Sequence, residues 1–321
     1  MPLDKHLPLV VTGAAGLVGQ NLIAELDAQG YRNIIALDKH KGNLDILQKL
    51  HPNVQCIQAD LAVPGSRPGS WEDHFAGAAR LFLLQARITG SQEEQFRHDT
   101  LDSTANVLRA ASKHNIPFTV FSGSSVVNSV ADDLYTRSKK EQERMVLDSG
   151  LPCCMVRPTL MFGWFDPKHL GWLSRFMAKT PVFPIPGHGR YVRQPLYARD
   201  FCRVLIRCAE TEPRGQSFDL TGQERITYVD IIRTIKNLKK LHTLILHLPV
   251  PLFRFLMRAY GLVFPNPPFV AEQLDALMAE DIFTGIDMEE VFGVKPTDFH
   301  AAMQETFCHP EYSQIVLERW Q

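Results

Sequence analysis

Hydrophobic and polar positions follow two alternating rhythms through the first half of the chain. Short runs rich in β-branched and aromatic residues, LPLVVTG (7–13), NIIALD (33–38), VQCIQAD (54–60), ARLFLLQA (79–86), FTVFSG (118–123) and CCMVRPT (153–159), have the length and make-up of buried strands. Between them, apolar residues recur every three or four positions. This predicts helices over 16–30, closed by Gly30, over 44–50, and from about Asp99 to His114. Strand and helix in alternation imply βαβ units, and right-handed crossovers stack such units into one parallel, doubly wound sheet. The expected fold class is α/β, a Rossmann-type sheet with a smaller, mostly helical C-terminal lobe.

The texture changes beyond Pro158. Between 158 and 187 Pro and Gly recur among Trp164, Phe165, Trp172, Phe176 and Phe183, a pattern of loops and short helices covering a site. PLYARDFCRVLIRCAE (195–210) and SFDLTGQ (217–223) predict a strand-helix-strand return to the main sheet, followed by a helix beginning near Thr227. The remainder, 244–321, reads as helical with a Pro-rich break, FPNPP, at 264–268. Its longest apolar stretch, Leu244 to Phe264, holds Pro249, Pro251, Arg254 and Arg258. A membrane span is therefore not expected, because each central Arg costs about 2.5–3.5 kcal/mol on insertion scales. An amphipathic helix over 251–263, with Leu252, Phe255, Leu256 and Ala259 on one face, fits better. That face is expected to meet a core, a second subunit or a membrane surface.

Composition narrows the function classes. The 321 residues are 45% hydrophobic and 21% charged, which excludes a disordered, collagen-like or coiled-coil chain. Lys and Arg number 34 against 35 Asp and Glu, so the net charge of −1 gives no global electrostatic case for nucleic acid or acidic lipid. A small-molecule substrate is the expected partner, and the chain is expected to act as a homodimer. Cys56, Cys153, Cys154, Cys202, Cys208 and Cys308 show no paired zinc spacing, and the twelve histidines show no H-x-H or H-x-x-x-H pairing, so no metal is expected. Reduced thiols and the absence of a signal-peptide pattern at the start point to the cytoplasm.

The first chemical signal is Thr12-Gly13-Ala14-Ala15-Gly16-Leu17-Val18-Gly19, between a strand and a helix. Gly13 permits the tight turn, Gly16 lets the backbone approach a pyrophosphate, and Gly19 allows close helix–sheet packing, with Leu17 and Val18 opening the helix. Asp38 ends the second strand 19 residues after Gly19. There a carboxylate accepts hydrogen bonds from both ribose hydroxyls and repels a 2′-phosphate, so NAD is expected rather than NADP. A solvated turn aspartate is the plainer reading of Asp38. The second signal is Tyr135-Thr136-Arg137-Ser138-Lys139 in a helical stretch, preceded by Ser122-Gly123-Ser124-Ser125. Residues four apart share a helix face, so the phenol and the ammonium project together, and the positive charge favours phenolate.

In these motifs the chain resembles an extended short-chain dehydrogenase/reductase of the NAD-dependent epimerase/dehydratase type, close in pattern to the nucleotide-sugar epimerases. The resemblance implies adenine contacts from Asp60 and Leu61, and cofactor contacts from Leu84, Ala86 and Pro158. It also implies catalytic roles for Ser124, Tyr135 and Lys139, with Tyr135 and Lys139 touching the cofactor as well and Ser124 the substrate. Gln85 and Ala86 stand within a segment that is usually H-L-A-A, and Thr100 stands where an Asn often begins the next helix. Dehydratases of the family carry carboxylates beside the active-site hydroxyl; here Ser125-Val126-Val127 follows, which counts against elimination. Arg193 lies seven residues before Asp200, the place of a pyrophosphate-binding Arg, whereas Leu160 replaces a common substrate-binding Asn.

The expected organisation is a dinucleotide-binding domain over 1–163 with a returning segment at about 195–222, and a substrate-binding lobe from 164–194 and 223–321. The expected activity is NAD-dependent epimerisation of a nucleotide sugar at a secondary alcohol. A net dehydrogenase or ketoreductase of a sugar or sterol-like alcohol is the alternative. Gln194-Pro195-Leu196-Tyr197, which resembles a segment of the complex I accessory subunits, keeps a non-catalytic nucleotide-binding protein in view.

Overall fold

The computed structural model describes residues 3–130, 132–263, 274, 278 and 282–318. Chain order begins with β1 (Leu9–Thr12), α1 (Leu17–Ala28), β2 (Ile34–Asp38), α2 (Lys41–Leu50), β3 (Gln55–Gln58) and β4 (Arg80–Leu83). Then follow α3 (Glu93–Phe96), a π-helical turn (Arg97–Asp102), α4 (Ser103–Lys113), β5 (Thr119–Ser122), α5 (Leu134–Asp148) and β6 (Cys153–Pro158). The helix expected from about Asp99 is thus entered six residues earlier, and the π turn widens it where Asp99 sits, as such turns do at functional sites.

After β6 the chain leaves the sheet through β7 (Met161–Phe162), α6 (Leu170–Lys179), β8 (Val182–Pro186), β9 (Val192–Arg193), β10 (Leu196–Tyr197) and α7 (Ala198–Thr211). It returns as β11 (Ser217–Leu220) and ends in β12 (Ile226–Thr227), α8 (Tyr228–Leu238), β13 (Leu244–Leu248), α9 (Val250–Val263) and the helices Met288–Phe292 and Phe299–Cys308.

Seven strands form the main sheet in the order β11-β6-β5-β4-β1-β2-β3, all parallel. Leu9 pairs with Ile34 on one side and Arg80 on the other. The strand order reverses between β1 and β4, and the crevice at the carboxyl ends of these strands is where a doubly wound sheet binds its ligand. Side chains alternate between two buried layers. Leu9 and Val11 join a core containing Leu22, Ile23 and Leu205 from α1 and α7. Val10 joins one containing Val107, Ala111 and Val146 from α4 and α5. Each fully buried Leu or Ile stabilises this packing by roughly 1.5–3 kcal/mol. A third core, with Leu173 and Met177 of α6, Ile231 and Ile235 of α8, and Met303, holds the lobe together.

Two expectations need correction, and one choice left open is narrowed. Of the segment read as a strand-helix-strand return, only β11 joins the main sheet. Pro195 leaves two residues of strand before α7 begins, and this β10 pairs with β7 instead. Residues 244–248 are strand rather than helix: LILHL alternates outward and inward beside β8, and the following Pro249 disfavours helical backbone at Leu248. The apolar face of α9 does not enter the core, since Leu252, Phe255 and Leu256 are exposed. The break at 264–268 lies outside the described residues. The helix expected near Thr227 begins there, with the Thr227 side chain accepting from the Asp230 backbone N–H.

Candidate active site

A cavity of about 490 Å³ opens at the switch point, lined by the ends of β1 to β6 and by the loops that follow them. Gly13 turns the chain with φ of +69°, and a Cβ there would lie 2.7 Å from the Gln85 backbone nitrogen, so only glycine fits. Gly19 does not line the cavity. A Cβ on it would lie 2.5 Å from the Gly13 and Ala14 carbonyl oxygens, so its absence lets α1 seat against the loop. No side chain caps α1 at Gly16, and its first turn carries no acid. Its first backbone N–H groups, beside Gly16, Leu17 and Val18 on the cavity wall, thus remain for an anionic ligand.

Asp38 closes this end. It is buried, and its carboxylate accepts from the backbone N–H groups of Ala15 (3.0 Å) and His40 (2.9 Å). Burial raises its pKa, and the backbone hydrogen bonds oppose that shift. Asp60, Leu61, Leu84, Ala86 and Pro158 line the same cavity, as expected. An uncapped helix start, a loop where Cβ atoms would intrude and a carboxylate at the far end match a pyrophosphate and its adenosine ribose, so the residues present fit a dinucleotide.

The proton-handling groups converge on the opposite wall. Ser124 follows β5, and Tyr135 and Lys139 occupy one face of α5, which Asp133 caps by accepting from the Thr136 N–H at 2.9 Å. Tyr135 Oη donates to Ser124 Oγ at 3.4 Å. Burial raises the Tyr135 pKa, the Ser124 hydrogen bond opposes this, and Asp133 adds to it. Lys139 is buried, with Nζ donating to the Ser122 carbonyl (3.0 Å) and Gln142 Oε1 (2.6 Å) and lying 4.8 Å from the centre of the Phe121 ring. Burial pushes its ammonium down to about 7, against the pull of Glu143. Burial thus dominates both groups, raising the phenol and lowering the ammonium.

Several participants escaped sequence reasoning. Gln142 receives Lys139 and in turn donates to the Gln85 carbonyl and to Thr104, both at 2.9 Å. Its position three residues after Lys139 on the same helix was the available signal. Asp99, on the π turn, binds Lys39 (2.5 Å), Arg87 (2.9 Å) and His98 (2.9 Å), and no spacing rule reaches those partners. Val126, Leu160, Met161, His169 and Phe283 form the wall beyond the serine and tyrosine.

Arg193, like Gly19, is an expected site residue that stands outside the cavity wall. It is buried in β9, paired with Ile226, donating to the Val192 carbonyl at 2.9 Å and lying 5.4 Å from the centre of the Tyr191 ring. It does not line the cavity. Among the described residues there is no cluster of His, Cys, Asp and Glu able to hold a metal, and no helix long and apolar enough to cross a membrane.

A doubly wound parallel sheet with a glycine turn, a strand-end aspartate and a Ser-Tyr-Lys wall defines the dinucleotide-binding class of α/β proteins. Within that class the chain belongs to the NAD-dependent epimerase/dehydratase family, whose model matches residues 9–220. It is similar to an uncharacterized protein of Mycobacterium tuberculosis, with 27% identity over 199 residues, covering 62% of this chain and 20% of that protein. The chain thus spans about a fifth of the length of this relative. Similarity to the ceramide reductase of Caulobacter vibrioides is more even, at 23% identity over 259 residues, 78% of this chain and 76% of that one. In overall shape the fold is similar to UDP-glucose 4-epimerase of Thermotoga maritima, with a TM-score of 0.70 and 16% identity, covering 94% and 97% of the two chains.

Proposed function

We propose that this chain is an NAD(H)-dependent oxidoreductase that interconverts a secondary alcohol and a ketone on a largely apolar substrate. The observation that carries the reaction is the meeting of Ser124, Tyr135 and Lys139 in one cavity with the glycine turn and Asp38. In this reading the loop over 13–18 and Asp38 hold NAD, which supplies hydride transfer when bound. Tyr135 Oη gives a proton to the substrate oxygen on reduction and takes it back on oxidation, and Ser124 Oγ fixes that oxygen by a second hydrogen bond. Lys139, already placed by Ser122 and Gln142, holds the nicotinamide ribose and restores the phenol's proton. Among the described residues three carboxylates line the cavity, Asp38, Asp60 and Asp99, and all come from the cofactor end, so none of these stands beside Ser124 to serve an elimination.

The wall beyond Ser124 supports an apolar substrate, because Val126, Leu160, Met161 and Phe283 are part of it and Arg193 is engaged elsewhere. A relative named for ceramide reduction supports the same choice. Epimerisation of a nucleotide sugar is the second reading, favoured by the likeness to UDP-glucose 4-epimerase and by Lys168 on the cavity wall. Incubation with NADH and a long-chain ketone, in parallel with UDP-glucose and UDP-N-acetylglucosamine, separates the two. NADH oxidation with the ketone alone is the expected result. Conversion of a nucleotide sugar with no oxidation by any apolar ketone would overturn the substrate class.

A further inference from the structure

Outside the cavity, the lobe carries a surface that the reaction does not use. β8 and β13 pair in parallel with Val182 opposite Leu244 and Pro184 opposite Leu246, while Phe183 and Ile185 turn inward to the lobe core. Val182, Leu244 and Leu246 are therefore outward-facing and exposed. Two residues after β13, α9 begins, and Leu252, Phe255 and Leu256 share one face at helical spacing, with Phe255 66% exposed. A single exposed leucine needs no explanation, but six large apolar residues on three elements adjacent in the fold do.

The segments that carry this surface are one-sided in charge. Residues 179–189 and 236–263 contain Lys179, Lys236, Lys239, Lys240, Arg254 and Arg258 and no Asp or Glu. Exposed Lys179 and Lys240 precede β8 and β13 at the same end of the pair, and exposed Arg258 flanks the apolar face of α9. Apolar side chains beside exposed cations match the boundary between acyl chains and negatively charged headgroups.

We infer that the outer face of β8, β13 and α9 docks on an anionic lipid bilayer. Phe255, Leu252 and Leu256 enter the acyl boundary, while Lys179, Lys240 and Arg258 lie at the headgroups. A second copy of the chain fits less well, because a twofold contact through this face would set its cations against themselves. The inference stands apart from the reaction proposed above and uses no residue of the cavity.

Co-sedimentation of the full chain with vesicles of phosphatidylserine in phosphatidylcholine, against pure phosphatidylcholine, tests it. The wild type should pellet with the anionic vesicles at least tenfold more than with neutral ones, and ~0.5 M salt should weaken that binding as charges are screened. Phe255→Ser with Leu256→Ser, and separately Lys179→Glu with Lys240→Glu, should each reduce pelleting at least tenfold while leaving NADH binding and the melting temperature unchanged. Wild-type protein that stays in the supernatant with anionic vesicles would overturn the inference, as would full binding by either double variant. A lipid-free dimer in sedimentation velocity that the Phe255 and Leu256 substitutions dissociate would assign the face to a second copy instead.

Discussion

The two ends of the molecule solve opposite problems. At the cofactor end, backbone does the recognising: a glycine turn, an uncapped helix start and one aspartate whose oxygens are already held by Ala15 and His40. At the far wall of the cavity and on the outside of the lobe, side chains take over: Val126, Leu160, Met161 and Phe283 line the one, and Val182, Leu244 and Phe255 lie exposed on the other. Backbone recognition tolerates almost no substitution and so leaves a motif, whereas an apolar wall can be assembled from many residue types and leaves none.

The sharpest way to separate the ends is to remove a proton carrier and ask what survives. Tyr135→Phe keeps the ring packing and deletes the hydroxyl, so turnover should fall by ~10²–10⁴ while NADH affinity measured by fluorescence is unchanged. Unaltered turnover would transfer the proton role to another group.

Next in size is a pH effect on stability. The Lys139 ammonium titrates at about 7 in the folded chain, below its value in the unfolded one. Between those values the unfolded state binds more protons, so stability rises with pH from about 7 upward, and below 7 the full cost of burying the charge is present. Each pH unit in that window contributes up to ~1.4 kcal/mol. Urea unfolding of the cofactor-free protein at pH 7 and pH 9 should show the rise, and Lys139→Met should flatten it. An equal slope in that variant would assign the pH dependence to other groups.

Arg193→Ala tests the lobe from inside. Removing a buried guanidinium that serves the Val192 carbonyl and lies over Tyr191 should lower stability by ~1.5–3 kcal/mol, visible as a drop in melting temperature, with KM for the reacting substrate little changed. A large rise in KM at unchanged stability would return Arg193 to a substrate diphosphate and restore the nucleotide-sugar reading. The smallest effect belongs to Asp38. NAD should bind at least tenfold more tightly than NADP by calorimetry, a difference of ~1.4 kcal/mol or more. Equal affinities would remove Asp38 from the ribose.

Particular residues show why some of this was legible in sequence. Gly13, Asp38 and the Tyr135–Lys139 pair act through local geometry, a turn, a strand end and one helix face, so spacing alone placed them. Asp99 and its partners Lys39 and Arg87 come from three separate segments, and only the sheet order brings them together. The spacing of Arg193 to Asp200 fixes separation along the chain only, whereas the pairing of Arg193 with Ile226 is what places it in the lobe. The strand at 244–248 was hidden for a related reason. Its partner, β8, lies some sixty residues earlier, and such pairing leaves no mark on the periodicity of either segment.

The tether at Asp99 fixes the local charge at one end of the cavity. Lys39 and Arg87 both line that cavity, and both are held by a single carboxylate on a widened helical turn. Three charged side chains from three segments thus stand as one unit, and a shift of the turn that carries Asp99 would move both cations together.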